Sequence, residues 1–264
     1  MTVKKIIVAN WKMNPASLKE ALELFSGVLD FSKKQNGLEV VICPPFLYIE
    51  TLSKKIESLK RLKNGAHGAV KLGGQDIFWE NKGAYTGELS GAMLKNAGAG
   101  YVIVGHSERR KNFNETEEVI NKKIKAALKN NLKVIFCVGE EKRDEMGGYL
   151  KFVKNQIMGG LNQVSRKDLK NILITYEPLW TISSTGGGRV DTPEDMMQMT
   201  LYIKKVLFFK FGRKVAEEAN ILYGGSVTDA NILGFLEKAG VKGVLVGRAS
   251  LNKEAFARLL KKAL

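Results

Sequence analysis

Only two cysteines, Cys43 and Cys137, occur in 264 residues, and both follow apolar strand-like runs. That is too few for a disulfide framework and too sparse for a zinc site; it points to a reducing cytoplasm. No apolar run approaches the roughly 20 residues of a membrane-spanning helix, so no membrane partner is expected. Met1 to Asn10 passes directly into a strand pattern and lacks the apolar stretch of a secretion signal. Acidic residues are also short: 27 Asp and Glu stand against 42 Lys and Arg, a net charge of +15. Doublets such as Lys33-Lys34, Lys54-Lys55, Lys122-Lys123, Lys204-Lys205 and Lys261-Lys262 supply much of the excess, spread through helical patterns. Two readings stand: solvated outer faces of helices, or a field that attracts an anionic partner, a small phosphate or a nucleic acid. Aromatics make up 8% and are not interleaved with the basic residues, which argues against a nucleic-acid platform.

No linker, composition break or low-complexity tract divides the chain, so one domain over residues 1–264 is expected. Its content is 44% hydrophobic and 26% charged, ordinary for a soluble fold. Short apolar runs alternate with amphipathic helical patterns. The strand candidates are Ile6 to Ala9, Val40 to Cys43, Val70 to Gly73, Tyr101 to Val104, Val134 to Val138, Ile172 to Tyr176, Ile221 to Tyr223 and Val244 to Val246. Between the first two, Leu18, Ala21, Leu22, Phe25, Val28 and Leu29 fall on one helical stripe, with Ser17 and Glu20 as a capping box. Further helices are predicted to start near Thr116, Thr192, Thr228 and Asn252, each an N-cap residue type. Strands alternating with helices pair in parallel through right-handed crossovers, and eight units in this length suit a closed (β/α)8 barrel.

A barrel of that kind carries its chemistry at the C-terminal ends of its strands. After strand one come Asn10, Trp11, Lys12 and Asn14. After strand four come Gly105, His106, Ser107, Glu108, Arg109 and Arg110. Strand six is followed by Glu177, then Pro178, which ends the ladder, and the glycine-rich stretch Ser183 to Arg189. Taken alone, that stretch fits either a base held beneath a cover or an ordinary strand–loop–helix crossover with a surface carboxylate. Strands seven and eight are followed by Gly224-Gly225-Ser226 and Gly247-Arg248-Ala249-Ser250, small turns that let backbone N–H groups approach an anion. Arg109 and Arg110 are expected to pair with carboxylates and hold loops. Of the two histidines, His67 is expected to be structural.

These residues resemble the triosephosphate isomerase family over essentially the whole chain. The resemblance is carried by Asn10-Trp11-Lys12-Met13-Asn14, Cys43-Pro44-Pro45-Phe46, Gly83-Ala84-Tyr85-Thr86-Gly87-Glu88, Gly105-His106-Ser107-Glu108-Arg109-Arg110, Cys137-Val138-Gly139-Glu140, Tyr176-Glu177-Pro178-Leu179-Trp180 and Tyr223-Gly224-Gly225-Ser226-Val227. It implies interconversion of dihydroxyacetone phosphate and glyceraldehyde 3-phosphate, in glycolysis and gluconeogenesis. On this chain it implies Glu177 as the base and His106 as a neutral electrophile, with Lys12 and Asn10 stabilising the enediolate. It further implies a phosphate held by Asn10, Lys12, Ser183, Ser226, Gly247 and Arg248, with Glu108 and Cys137 supporting from behind. No metal or organic cofactor is implied, and a homodimer is, through Ala84-Tyr85-Thr86-Gly87-Glu88. The chain departs from the family's common form in a longer segment between Glu177 and Pro193, with Ser183, Gly186-Gly187-Gly188 and Arg189, and in Arg248 where glycine is commoner. Two rivals stand beside this reading: another sugar-phosphate isomerase or epimerase on the same barrel, and a non-catalytic barrel that binds polyanions through its basic surface.

Overall fold

Each of the eight apolar runs forms a strand: β1 (Lys5–Asn10), β2 (Leu38–Cys43), β3 (Val70–Gly74), β4 (Tyr101–Val104), β5 (Lys133–Val138), β6 (Ile172–Tyr176), β7 (Asn220–Tyr223) and β8 (Gly243–Val246). These come from a computed structural model, which describes residues 4–32, 37–61, 70–144, 146–181 and 191–264. Every strand pairs in parallel with its neighbour in sequence, and β8 returns to pair with β1, closing the barrel. Ten α-helices are present among the described residues: α1 (Leu18–Ser32), α2 (Phe46–Arg61), α3 (Gly91–Asn96), α4 (Ser107–Phe113), α5 (Glu117–Lys129), α6 (Gly148–Gly160), α7 (Pro193–Phe211), α8 (Arg213–Glu218), α9 (Ile232–Lys238) and α10 (Lys253–Lys262).

The two-residue period of the strands splits the core in two. On β1, Ile6 and Val8 point into the barrel with Val41, Ile103, Ile135, Leu222 and Leu245. Ile7 and Ala9 point outward and pack with Phe25, Val28 and Leu29 of α1. Burying side chains of this size stabilises the fold by roughly 1.5–3 kcal/mol each. Leu18, placed by its spacing on the same stripe, is exposed because it begins the first turn of α1.

Local capping matches the predicted positions at most helix starts. Thr116, Thr192 and Asn252 accept backbone N–H bonds from Val119, Asp195 and Ala255, and Pro193 is the first residue of α7. Ser17 Oγ accepts from the Glu20 N–H at 3.3 Å. Thr228 does not cap a helix. Its hydroxyl accepts from the Ala230 N–H two residues on, and its own N–H donates to Asn231 Oδ1, so residues 228–231 turn tightly and α9 starts after Asn231.

Candidate active site

The C-terminal ends of β1, β4, β6 and β8 converge on one mouth of the barrel. Glu177 directly follows β6, and its carboxylate is almost wholly buried. Its Oε2 accepts the Ser107 N–H at 3.0 Å, and its Oε1 lies 3.1 Å from His106 Nε2. His106 caps α4: its Nδ1 accepts the Glu108 N–H at 3.3 Å. Nδ1 is thus turned toward the backbone N–H and Nε2 faces Glu177. Glu108 Oε2 stands 3.7 Å from Nδ1, outside bonding distance.

Glu108 instead binds Lys12, Oε1 to Nζ at 2.6 Å. Lys12 adopts a positive φ of 54°, an uncommon backbone for a residue with a side chain. Two contacts hold it there. Its N–H donates to Asn10 Oδ1 at 3.0 Å, and its carbonyl accepts from Gln75 Nε2 at 2.8 Å. Strain fixed by surrounding bonds is a mark of a functional position. Gly247, at the end of β8, comes against the same side chain, with Lys12 Nζ 3.9 Å from where its Cβ would be. Ser226 is exposed after β7, and its hydroxyl donates to Thr181 O. Arg248 is exposed at the start of a single 3-10 turn, Arg248–Leu251. Ser183, Arg189 and the three glycines before Arg189 lie outside the described residues, as does His67.

Behind these groups stands a frame of ion pairs. Arg110 donates to Gly105 O and Cys137 O and pairs with Glu117, fixing the end of β4 to β5. Arg109 binds Asp76 and Glu115, which share the buried Lys123. Both arginines therefore hold loops, as expected. The Cys137 thiol is fully buried, and burial together with the Glu177 charge pushes its ionisation well up, so it stays a neutral neighbour of the base.

A family model described as triosephosphate isomerase matches residues 5–263. The chain belongs to the triosephosphate isomerase family. A triosephosphate isomerase from Thermodesulfovibrio yellowstonii is 44% identical over 259 residues, covering 98% of this chain and 99% of its own. One from Chloroherpeton thalassium is 41% identical over 262 residues, again 98% and 99% of the two chains. The solved triosephosphate isomerase of Bartonella henselae superposes with a TM-score of 0.83 at 30% identity, covering 98% of this chain and 99% of that one.

Within this family frame, two features are not singled out by residue pattern. The first is Gly139, at the end of β5. A Cβ there would lie 1.9 Å from Glu177 O and 2.7 Å from its carbonyl carbon. Gly224, after β7, likewise leaves 3.0 Å between its would-be Cβ and Glu177 Cγ. The base is thus clasped between glycines on both flanking strands. Only the glycine itself in the Cys137-Val138-Gly139-Glu140 motif could have signalled a close backbone approach.

The second is a buried cluster beside β6 and the start of α7. Glu140 accepts from the Tyr176 hydroxyl at 2.5 Å and from Trp180 Nε1 at 2.9 Å. Arg143 bridges from Glu140 to Asp195 Oδ1. Asp191 completes the group, and its surroundings include Arg143, Asp195, Glu140, the Thr192 N–H and Tyr223. Three carboxylates share one guanidinium. Burial, with Asp195 and Glu140 nearby, pushes the Asp191 carboxyl up to about 7 although Arg143 and the Thr192 N–H oppose it. The linkage runs against stability at high pH. Below the unfolded value of about 3.9 both states are protonated; above it the unfolded chain ionises while the folded one keeps its proton up to about 7. The stabilisation is therefore complete in acid and lost as pH rises to about 7. Asp191→Asn, a neutral mimic, is expected to gain stability over the parent that grows by about 2.5 kcal/mol between pH 5 and pH 8. Urea unfolding at the two pH values reads this directly, and a gain that is the same at both would show that the carboxyl does not titrate in this window.

Proposed function

We infer that the chain catalyses the interconversion of dihydroxyacetone phosphate and D-glyceraldehyde 3-phosphate, a step of glycolysis and gluconeogenesis. The observation that carries the assignment of roles is the buried Glu177–His106 pair at 3.1 Å, with the Lys12 ammonium held at the same mouth by Glu108. Without substrate the carboxylate and the imidazole N–H face each other. A triose phosphate entering between them would meet a base on its carbon and a donor on its oxygen.

The chemistry is that of a proton next to a carbonyl. The Glu177 carboxylate takes a proton from the carbon beside the carbonyl, and the electron pair of that C–H bond becomes the C=C of an enediolate while the carbonyl π pair moves onto oxygen. His106 Nε2–H donates to that oxygen, and the Lys12 ammonium, with Asn10 beside it, stabilises the negative charge. The hydroxyl on the carbon that lost its proton then gives up its own proton and the former carbonyl oxygen gains one, a transfer His106 is placed to relay. That carbon becomes the new C=O as the C=C pair takes the Glu177 proton at the former carbonyl carbon, giving the other isomer. The base and donors are already in place, so little reorganisation is required as charge develops. Gly247 and Arg248 at the 3-10 turn, with Ser226 and Ser183, are the proposed phosphate contacts, using backbone N–H groups at a position where such barrels bind phosphate. Glu108 orients Lys12, and Cys137 keeps a neutral, close-packed wall against Glu177. Two free, buried thiols fit a cytoplasmic enzyme.

We also propose that the working unit is a homodimer. A cavity of about 340 Å³ opens beside Lys12, lined by Met13, Phe46, Gln75, Phe78 and Glu88. Met13 and Leu47 are largely exposed, and Tyr85 stands out on the Ala84-Tyr85-Thr86-Gly87-Glu88 loop. Apolar groups gathered beside a polar site mark an interaction surface. The loop of a second copy seated in this cavity would bury them and support Lys12. A coupled assay on glyceraldehyde 3-phosphate should show isomerisation, and sedimentation of the same sample should show a dimer. A fully active monomer would remove the assembly proposal, and absence of turnover in a sedimenting dimer would remove the activity.

A further inference from the structure

The opposite mouth of the barrel, at the N-terminal ends of the strands, carries a second polar cavity. Its volume is about 240 Å³, and its walls include Lys4, Lys133, Lys170 and Lys242. Those lysines precede or begin β1, β5, β6 and β8, so closure of the barrel alone brings them together. Among the described residues, the only carboxylate on the wall is Glu39. It is engaged on one side by the Tyr101 hydroxyl and lies 4.0 Å from Lys4 Nζ. Tyr101 accepts in turn from Lys133 Nζ at 3.1 Å, and that ammonium also stands 5.1 Å from the ring centroid. Burial and the Glu39 charge keep the phenol protonated, so it remains the donor to Glu39. Lys242 is fixed at the backbone, where its N–H donates to Ile221 O at 2.7 Å and its carbonyl accepts the Ile6 N–H at 3.1 Å. Neither Lys170 nor Lys242 is paired with a carboxylate among the described residues.

Four ammonium groups around one opening repel one another. Lys4, Lys133 and Lys170 are exposed and Lys242 is half-buried, so salt weakens that repulsion and an anion seated among them would be held the more tightly the lower the salt. Folding gains nothing from it, and an anion in the cavity would relieve it. Among the described residues, one carboxylate against four cations leaves a formal excess of three positive charges. We propose that this mouth binds a compact oligophosphate, two or three linked phosphoryl groups, with lysine ammoniums as point-charge donors to its oxygens. The volume exceeds what one phosphate fills, and a concave mouth does not fit a nucleic-acid duplex. Between the two mouths the barrel is filled by Val8, Val41, Ile103, Ile135, Leu222 and Leu245. The ligand would therefore not compete with a triose phosphate.

The test is calorimetric titration of the full chain with inorganic pyrophosphate at about 150 mM salt, in the presence of saturating triose phosphate. The parent is expected to bind one equivalent. Lys170→Gln/Lys242→Gln is expected to weaken binding at least tenfold. Lys204→Gln/Lys205→Gln, with the same loss of charge on α7, should stay within about twofold, and kcat/KM should be unchanged in both. A parallel titration with adenosine triphosphate separates the sources: equal affinity identifies the phosphate chain alone as the ligand, and tighter binding lost in the same variant identifies a nucleotide tail. The proposal is overturned by an absence of saturable binding at millimolar pyrophosphate, by displacement with triose phosphate, or by equal losses in the two double variants.

Discussion

Glu177→Gln should lower kcat by about a thousandfold while KM changes little, the loss expected when a positioned general base is removed. The amide is the same size as the carboxylate, and its oxygen can still accept the Ser107 N–H that holds Oε2 at 3.0 Å. The clasp of Gly139 and Gly224 stays unstrained because no atom is added beside it. What disappears is basicity alone. A loss in kcat and in kcat/KM of the same size would indicate an interaction made only in the transition state. Retention of more than a tenth of the parent activity would remove Glu177 from the role of base.

Gly139→Ala should be nearly as damaging, although Gly139 contacts no substrate in the proposed scheme. A methyl group cannot sit 1.9 Å from Glu177 O, and the neighbour is backbone, which cannot rotate away. The Glu177 N–H to Val138 O bond at 2.8 Å and the Leu179 N–H to Glu140 O bond at 3.1 Å tie the two segments together on both sides of the clash. Relief must come from moving the β6 end outward, and with it the base. Displacements near 1 Å at a reacting group cost about a hundredfold in rate, and overpacking of this kind costs roughly 1–3 kcal/mol in stability. Gly100→Ala is the control, since the nearest atom to its Cβ would be 4.0 Å away. Kinetics and urea midpoints of the two variants decide the matter. A Gly139→Ala enzyme with kcat within threefold of the parent would mean that the strands part without carrying Glu177.

These two expectations differ in how far they can be reached from sequence. The eight strands are legible because each is a short, largely β-branched run bounded by polar residues, and a closed barrel results from eight alternating units. Lys12, His106 and Glu177 are legible because a barrel exposes the residues just past its strand ends, and each of the three occupies such a position. Thr116, Thr192 and Asn252 are legible as caps because capping is settled within three residues. Thr228 is misleading because a hydroxyl can serve a tight turn as well as a helix, and Asn231 decides between them. The clasp on Glu177 and the Glu140–Arg143–Asp195 cluster are not legible. Each depends on the lateral spacing of strands or loops far apart in the chain, which local pattern does not encode.

The pairing of β1 with β8 also bears on how the molecule is made. The first and last strands are hydrogen-bonded neighbours, and α1 packs on α10. Loop-closure entropy grows only slowly with the length of chain enclosed, so the late closure is not prohibitive in free energy. It is, however, late in time. A nascent chain that has emerged as far as β7 has no partner yet for one side of β1 or one side of β7. Both strands then present a row of unpaired N–H and C=O groups, the template on which sheets of different chains join. Synthesis of β8 removes both templates in one step. A chain made only as far as β7 is therefore expected to aggregate more readily than one that includes β8.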